Sequence, residues 1–246
     1  MLHDSNSLPS LISFAFICNM SSNEILFYVV LCIIYIAIGY SQNHKLKCFL
    51  KCMPIVWLIF CSKKFDNNQK AIQFTSLGLL FSCVGDAFLV WKEYFLFGMM
   101  SFGIAHSMFI SSFGFENVSV VSLIPLAITG FILINILWSQ LHGKSHIKRA
   151  HSTINLKSIG ILKVAVPFYM ILLMTMTWRG IDASFQKHSN NQYKSLIGGV
   201  LFAISDGILS LDIFKVVEFN QFTGNSLVMI TYYASQIFIA CVNDNN

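Results

Sequence analysis

AIQFTSLGLLFSCVGDAFLVW at residues 71–91 and YFLFGMMSFGIAHSMFISSFGF at residues 94–115, parted only by Lys92-Glu93, decide the fold class. Each run is continuously apolar and about 20 residues long, and at ~1.5 Å rise per residue a helix of that length crosses ~30 Å of hydrocarbon. The two-residue link predicts a tight turn, which makes the two helices antiparallel neighbours. Strands are excluded, because the ten-residue alternation of a membrane barrel is missing from both runs.

Working outward, the same pattern recurs at Ile25–Tyr40, Phe49–Cys61, Val118–Leu141, Ile159–Trp178, Leu196–Val216 and Phe222–Val242. The expected fold is therefore an all-α integral membrane protein, an eight-helix transmembrane bundle. It forms a single domain over residues 25–242, preceded by a tail over residues 1–24. The patch Leu8–Cys18 is too short to span, and no basic segment or cleavage site marks it as a signal peptide. Residues 142–158 and 179–195 are predicted to be solvated links.

Composition agrees. Of 246 residues, 55% are hydrophobic and 11% charged, with 23 Phe; mean hydropathy is +0.66. So few polar side chains do not clothe a water-soluble surface. The net charge of +5 is dispersed in short clusters, which excludes a nucleic-acid-binding face. Seven cysteines without a C-x-x-C spacing read as free, inert thiols. His142, His146 and His151 share a link with Lys144, Lys148 and Arg149, whose charge opposes a metal cation. Nine Lys and Arg fall in links away from the termini and six on the termini's side, leaning the termini outside or lumenal.

Polar residues inside the spans carry the functional signal. An Asp at the centre of a membrane helix costs about 2.5–3.5 kcal/mol on insertion scales, yet Asp86 lies within span three and Asp206 at the middle of span seven. His106 is near the middle of span four and Tyr232 near the middle of span eight. Ser82 and Asp86 share a helix face, as do Asp206 and Ser210. Asn225, Met229, Tyr232 and Gln236 follow a 4-3-4 stripe. Asp86, Asp212 and Asn225 are all displaced toward the side away from the termini, so a polar cavity opening on that side is expected. His106, Tyr232, Tyr233 and Gln236 also read as helix–helix hydrogen bonders, and Asp212 as a structural group near the interface.

Two classes of function follow. Paired carboxylates in a low dielectric can divide acid and base work, as cleavage of an acetal-type bond through an oxocarbenium-like transition state requires. Alternatively they bind a proton or cation in a transporter or lipid-handling protein. Repeated halves and paired broken helices, the marks of many transporters, are not evident. A serine nucleophile is disfavoured, because Ser205 beside Asp206 has no G-x-S-x-G context and no His partner evident in the sequence.

Several blocks carry a family resemblance. They are Lys51-Cys-Met-Pro54, Val84-Gly-Asp-Ala-Phe-Leu-Val-Trp91, Ala105-His106, Trp178-Arg179, Ser205-Asp206 with Asp212 and Phe214, and Leu227-Val-Met-Ile-Thr-Tyr-Tyr-Ala-Ser-Gln236. In order and spacing they resemble the YhhN-type lysoplasmalogenases, eight-span membrane proteins, and the animal members most. The resemblance implies hydrolysis of the sn-1 vinyl-ether bond of lysoplasmalogens to a fatty aldehyde and glycerophosphoethanolamine or glycerophosphocholine. It implies Asp86 and Asp206 as the catalytic pair, no cofactor and no metal, and an endoplasmic reticulum membrane. Lys51 or Lys215 is expected to meet the lipid phosphate, with Ser82, His106, Ser205, Asp212, Asn225, Tyr232, Tyr233 and Gln236 binding substrate or orienting the carboxylates. One departure stands out: Asp212-Ile213 replaces the Asn-Lys common in the family, which puts head-group preference in question.

Overall fold

The computed structural model describes residues 20–38, 43–63, 69–115, 119–142, 159–186 and 192–242. Among them are eight α-helices and no strand. The helices are α1 (Ser22–Ile38), α2 (His44–Ser62), α3 (Gln69–Phe88), α4 (Phe95–Phe113), α5 (Leu123–His142), α6 (Ile159–Gln186), α7 (Gln192–Ile213) and α8 (Gln221–Ala240). Among the described residues, four stretches are long and apolar enough to cross a membrane: Lys70–Phe88, Lys92–Phe113, Gly160–Phe185 and Tyr193–Ile213. The chain is a helical membrane protein. Shorter apolar stretches make up α1 and α5, while α2 and α8 are diluted by polar residues such as Lys51, Asn225 and Gln236. Those residues recur in the site below. The Leu8–Cys18 patch and the link carrying His146 and His151 lie outside the described residues.

Helix ends follow local chemistry. Asn43 caps α2, its side chain accepting from the Lys45 and Leu46 amides, and Asn220 caps α8 through the Phe222 amide. After Phe88 the chain makes a turn and a single 3-10 turn at Lys92–Tyr94 before entering α4. That short link makes α3 and α4 the predicted antiparallel neighbours. Their approach is close where glycine faces glycine: a Cβ on Gly85 would lie 3.2 Å from the Gly98 carbonyl oxygen, and one on Gly98 3.3 Å from that of Gly85. Both helices thereby bring backbone against backbone beside Asp86.

Neighbours pack in order α1–α2–α3–α4, then α4–α6–α7–α8, with α8 returning against α2 and α3 to close a ring. The fifth helix packs on the outside of α6. Three expectations need correction. Residues 179–186 continue α6 instead of starting a solvated link, and Arg179 and Lys194 are buried in helices, not loop charges. The reason for the first is local neutralisation: Arg179 Nη1 meets Asp182 Oδ2 at 2.5 Å, and its Nε and Nη2 donate to the Gly114 carbonyl at 2.9 and 2.6 Å. Asp182 Oδ1 accepts from the Ser119 amide at 3.0 Å, tying the start of α5 to α6. Third, Cys241 is disulfide-bonded; it stands just past the end of α8, whereas Cys32, Cys48, Cys52, Cys61 and Cys83 are free.

Candidate active site

At the end of the bundle that carries the α3–α4 and α7–α8 links, the ring of helices leaves a cavity of about 250 Å³. Asp86 of α3 and Asp206 of α7 both line it. Helix spacing places them: each aspartate lies on the inward stripe of its helix, with Leu209 and Asp212 following Asp206 at three and six residues.

Asp86 is 1% exposed and fully engaged. Lys51 Nζ of α2 lies 3.1 Å from its Oδ1, and the Tyr232 hydroxyl of α8 donates to its Oδ2 at 2.7 Å. Three helices thus meet at one carboxylate. The sequence reading offers Lys51 to the lipid phosphate; the fold instead brings this third residue of the Phe49–Cys61 run to Asp86. Tyr233 does not line the cavity. Its hydroxyl donates to the Lys51 carbonyl at 3.0 Å, and its own carbonyl accepts from Tyr28 at 2.8 Å, so it holds the backbone that carries Lys51.

Asp206 has a different environment. The Tyr169 hydroxyl of α6 donates to its Oδ2, and His106 Nε2 of α4 is 3.0 Å from the same phenol and 3.7 Å from Asp206 Oδ2. Since the phenol donates to the carboxylate, its oxygen accepts from His106 Nε2–H, giving a His106–Tyr169–Asp206 chain. Phe202 packs edge-on against both His106 and Tyr232, separating the two networks with an apolar ring. Tyr169 is absent from the sequence-predicted set. Its signal was available, because it sits as centrally in span six as Tyr232 does in span eight.

The remaining candidates divide. Ser205, Asp212 and Asn225 line the cavity with Lys47 and Lys92. Ser205 Oγ donates to the Val228 carbonyl at 3.0 Å and not to an imidazole, an arrangement of interhelical anchoring and not of an activated nucleophile. Asp212 pairs with Lys215 at 3.3 Å, both partly exposed at the rim. Ser82 lies one turn beyond Asp86 and Gln236 one turn beyond Tyr232. Among the described residues, Ser82 Oγ and both side-chain polar atoms of Gln236 are buried without a hydrogen-bond partner.

This geometry can be set beside known proteins. The chain is similar to lysoplasmalogenase TMEM86A of Bos taurus, 28% identical over 225 residues that cover 87% of this chain and 85% of the relative. It is similar to lysoplasmalogenase TMEM86B of Rattus norvegicus, 28% identical over 215 residues, covering 86% and 80%. A lysoplasmalogenase homolog of Dictyostelium discoideum is 27% identical over 210 residues, covering 71% and 64%. No solved structure matches. The family model described as the YhhN family matches residues 46–242, a stretch that holds Lys51, Asp86, His106, Tyr169, Asp206 and Tyr232. The chain belongs to the YhhN family.

Proposed function

We propose that this protein is a lysoplasmalogenase-like hydrolase that cleaves the sn-1 vinyl-ether bond of a lysoplasmalogen, releasing a fatty aldehyde and glycerophosphoethanolamine or glycerophosphocholine. The observation that carries the reading is the pair of carboxylates on one cavity of the helical bundle, each held by a tyrosine but only one by a lysine. The names of the relatives point the same way.

The two environments suggest a division of labour. Asp86 accepts on both oxygens, from an ammonium and a phenol, which is the bonding of an ionised carboxylate. Asp206 accepts on Oδ2 from Tyr169 and lines the cavity without a Lys or Arg pair among the described residues. In this mechanism Asp206 delivers a proton to the second carbon of the alkenyl chain, and the first carbon becomes an oxocarbenium ion. Asp86 takes a proton from the water that attacks that carbon, forming a hemiacetal. The hemiacetal hydroxyl then gives up its proton while the glycerol oxygen takes one up, its bond to carbon breaks, and the aldehyde carbonyl forms. One proton enters and one leaves, so the carboxylates exchange protonation and are reset by transfer between them or through solvent.

Lys51 is committed to Asp86 and Lys215 to Asp212. Lys47 and Lys92, which line the mouth, therefore supply the positive charge for the lipid phosphate. Placement in the endoplasmic reticulum membrane is part of the same proposal and follows the family resemblance.

The test is aldehyde release from an sn-1 alkenyl lysophospholipid by purified protein, beside Asp86→Asn and Asp206→Asn. Release by the wild type, lowered about 10²–10⁴-fold in both folded variants, is expected for groups that transfer protons. Intact release in either variant removes that residue from the mechanism, and no release by folded wild type overturns the hydrolase.

A further inference from the structure

The polar cavity does not end at Asp206. A second, apolar cavity opens beside it, and Leu89, Phe95, Phe102, Asp206, Leu209 and Ile213 wall both. The rest of its lining comes mainly from Met99 of α4, Leu137 of α5, Val166 and Met170 of α6, and Phe214 after α7. Its few polar atoms are already used: Ser210 Oγ donates to the Gly207 carbonyl at 2.8 Å, and the Tyr169 hydroxyl donates to Asp206. Away from Asp206 at its inner end, the slot offers no free hydrogen bond to a polar ligand, so its occupant there is hydrocarbon. The slot also explains the placement of α5, which packs on the outside of α6 yet sends a buried Leu137 into this wall.

We infer that the slot between α4, α6 and α7, about 60 Å³ in volume, receives the first carbons of the single aliphatic chain of the lipid, and that Leu137, Val166 and Met170 control which chains pass along it. Asp206 stands where the polar and apolar cavities meet. A ligand with its head group near Lys47 and Lys92 and its tail in the slot therefore presents its head–tail junction to that carboxylate. In a single-chain ether lipid that junction is the sn-1 linkage. The inference rests on the hydrolase reading for the reaction, but not for the binding.

The experiment compares alkenyl lysophospholipids of about six and about sixteen chain carbons on purified protein in lipid nanodiscs. Pocket contacts of this kind discriminate about 10-fold or more per well-packed group. Val166→Phe, which narrows the slot, is expected to lower the long-to-short ratio of kcat/KM at least about tenfold, and Met170→Ala to shift the preference toward longer or bulkier chains. Phe168→Trp, 64% exposed on the outer face of α6, is the control and leaves the ratio within about twofold. An unchanged ratio in both slot variants, or an equal change in the control, overturns the inference. Thermal stabilisation by a saturated 1-O-alkyl lysophospholipid, which has no vinyl ether to cleave, separates the two readings. Chain-length-dependent stabilisation that is weakened by Val166→Phe, with no aldehyde released from the alkenyl lipids, keeps the slot and removes the hydrolase. Aldehyde release with unaltered chain preference does the reverse.

Discussion

Two buried carboxylates of this protein, Asp86 and Asp182, are each 1% exposed and each paired with a cation, yet their surroundings differ in kind. Asp182 pairs with Arg179 three residues away on the same helix, and the remaining bonding capacity of both is met by backbone at Gly114 and Ser119. The Arg179 guanidinium also stacks over Phe115 at 5.6 Å. That cluster is sealed, and it stitches α4, α5 and α6 together. Asp86 pairs with Lys51 across two helices, takes a third helix's phenol, and still faces a cavity. A buried charge is therefore not by itself a sign of chemistry. What separates the two pairs is whether a side of the carboxylate is left open to a ligand-sized space.

The sharpest way to break this comparison is to neutralise one member of each pair. Asp86→Asn is expected to lower aldehyde release about 10²–10⁴-fold while the protein still elutes as a folded species. Asp182→Asn is expected to do the opposite. Leaving Arg179 buried and unpaired costs about 3–5 kcal/mol of stability, whereas activity per folded molecule stays within a few-fold. Thermal melts and specific activity of the folded fraction, measured on both variants, decide it. A collapse of kcat in folded Asp182→Asn would erase the distinction.

A smaller effect is expected at the phenols. Tyr169→Phe and Tyr232→Phe each delete a hydrogen bond to a carboxylate, worth about 1.5–3 kcal/mol for a charged acceptor, or roughly 10–100-fold in kcat. If the two aspartates divide the work as proposed, the two variants change different limbs of the pH–rate profile. Identical profiles would assign both tyrosines a packing role. The smallest change is expected at the rim, where Asp212→Asn breaks a partly exposed pair with Lys215 worth about 0–1 kcal/mol. KM for a zwitterionic lysolipid then moves by no more than about fivefold, and a larger shift would place Asp212 on the head group.

How much of the site was legible depended on how each residue betrays itself. Asp86 and Asp206 were visible because a carboxylate in an apolar run is costly wherever the helix packs. His106, Asn225 and Tyr232 followed from the same contrast between residue and surroundings. Tyr169 carried that contrast too, but a tyrosine is half apolar, and an isolated one in a membrane helix is ordinarily a packing residue. Lys47 and Lys92 read as ordinary flanking charges, since nothing local distinguishes a lysine at a cavity mouth from one at any membrane surface. Arg179 and Asp182 were misread in the other direction. Polarity near a helix end suggests a loop, and only their mutual neutralisation at 2.5 Å allows α6 to continue to Gln186.

The sequence by itself determined the solvent and the secondary structure: runs of about 20 apolar residues satisfy their backbone groups only as helices in a bilayer, and no tertiary information is needed to know it. It also determined which side chains are too polar to be idle there. Only the tertiary structure decided the partners. Lys51 reaches Asp86 because α2 packs on α3, Tyr169 reaches Asp206 because α6 packs on α7, and the apolar slot exists because α4, α6 and α7 meet with Leu137 of α5 completing the wall. Those pairings depend on which faces of different helices meet, and helical periodicity fixes a residue's face but not the helix it will face.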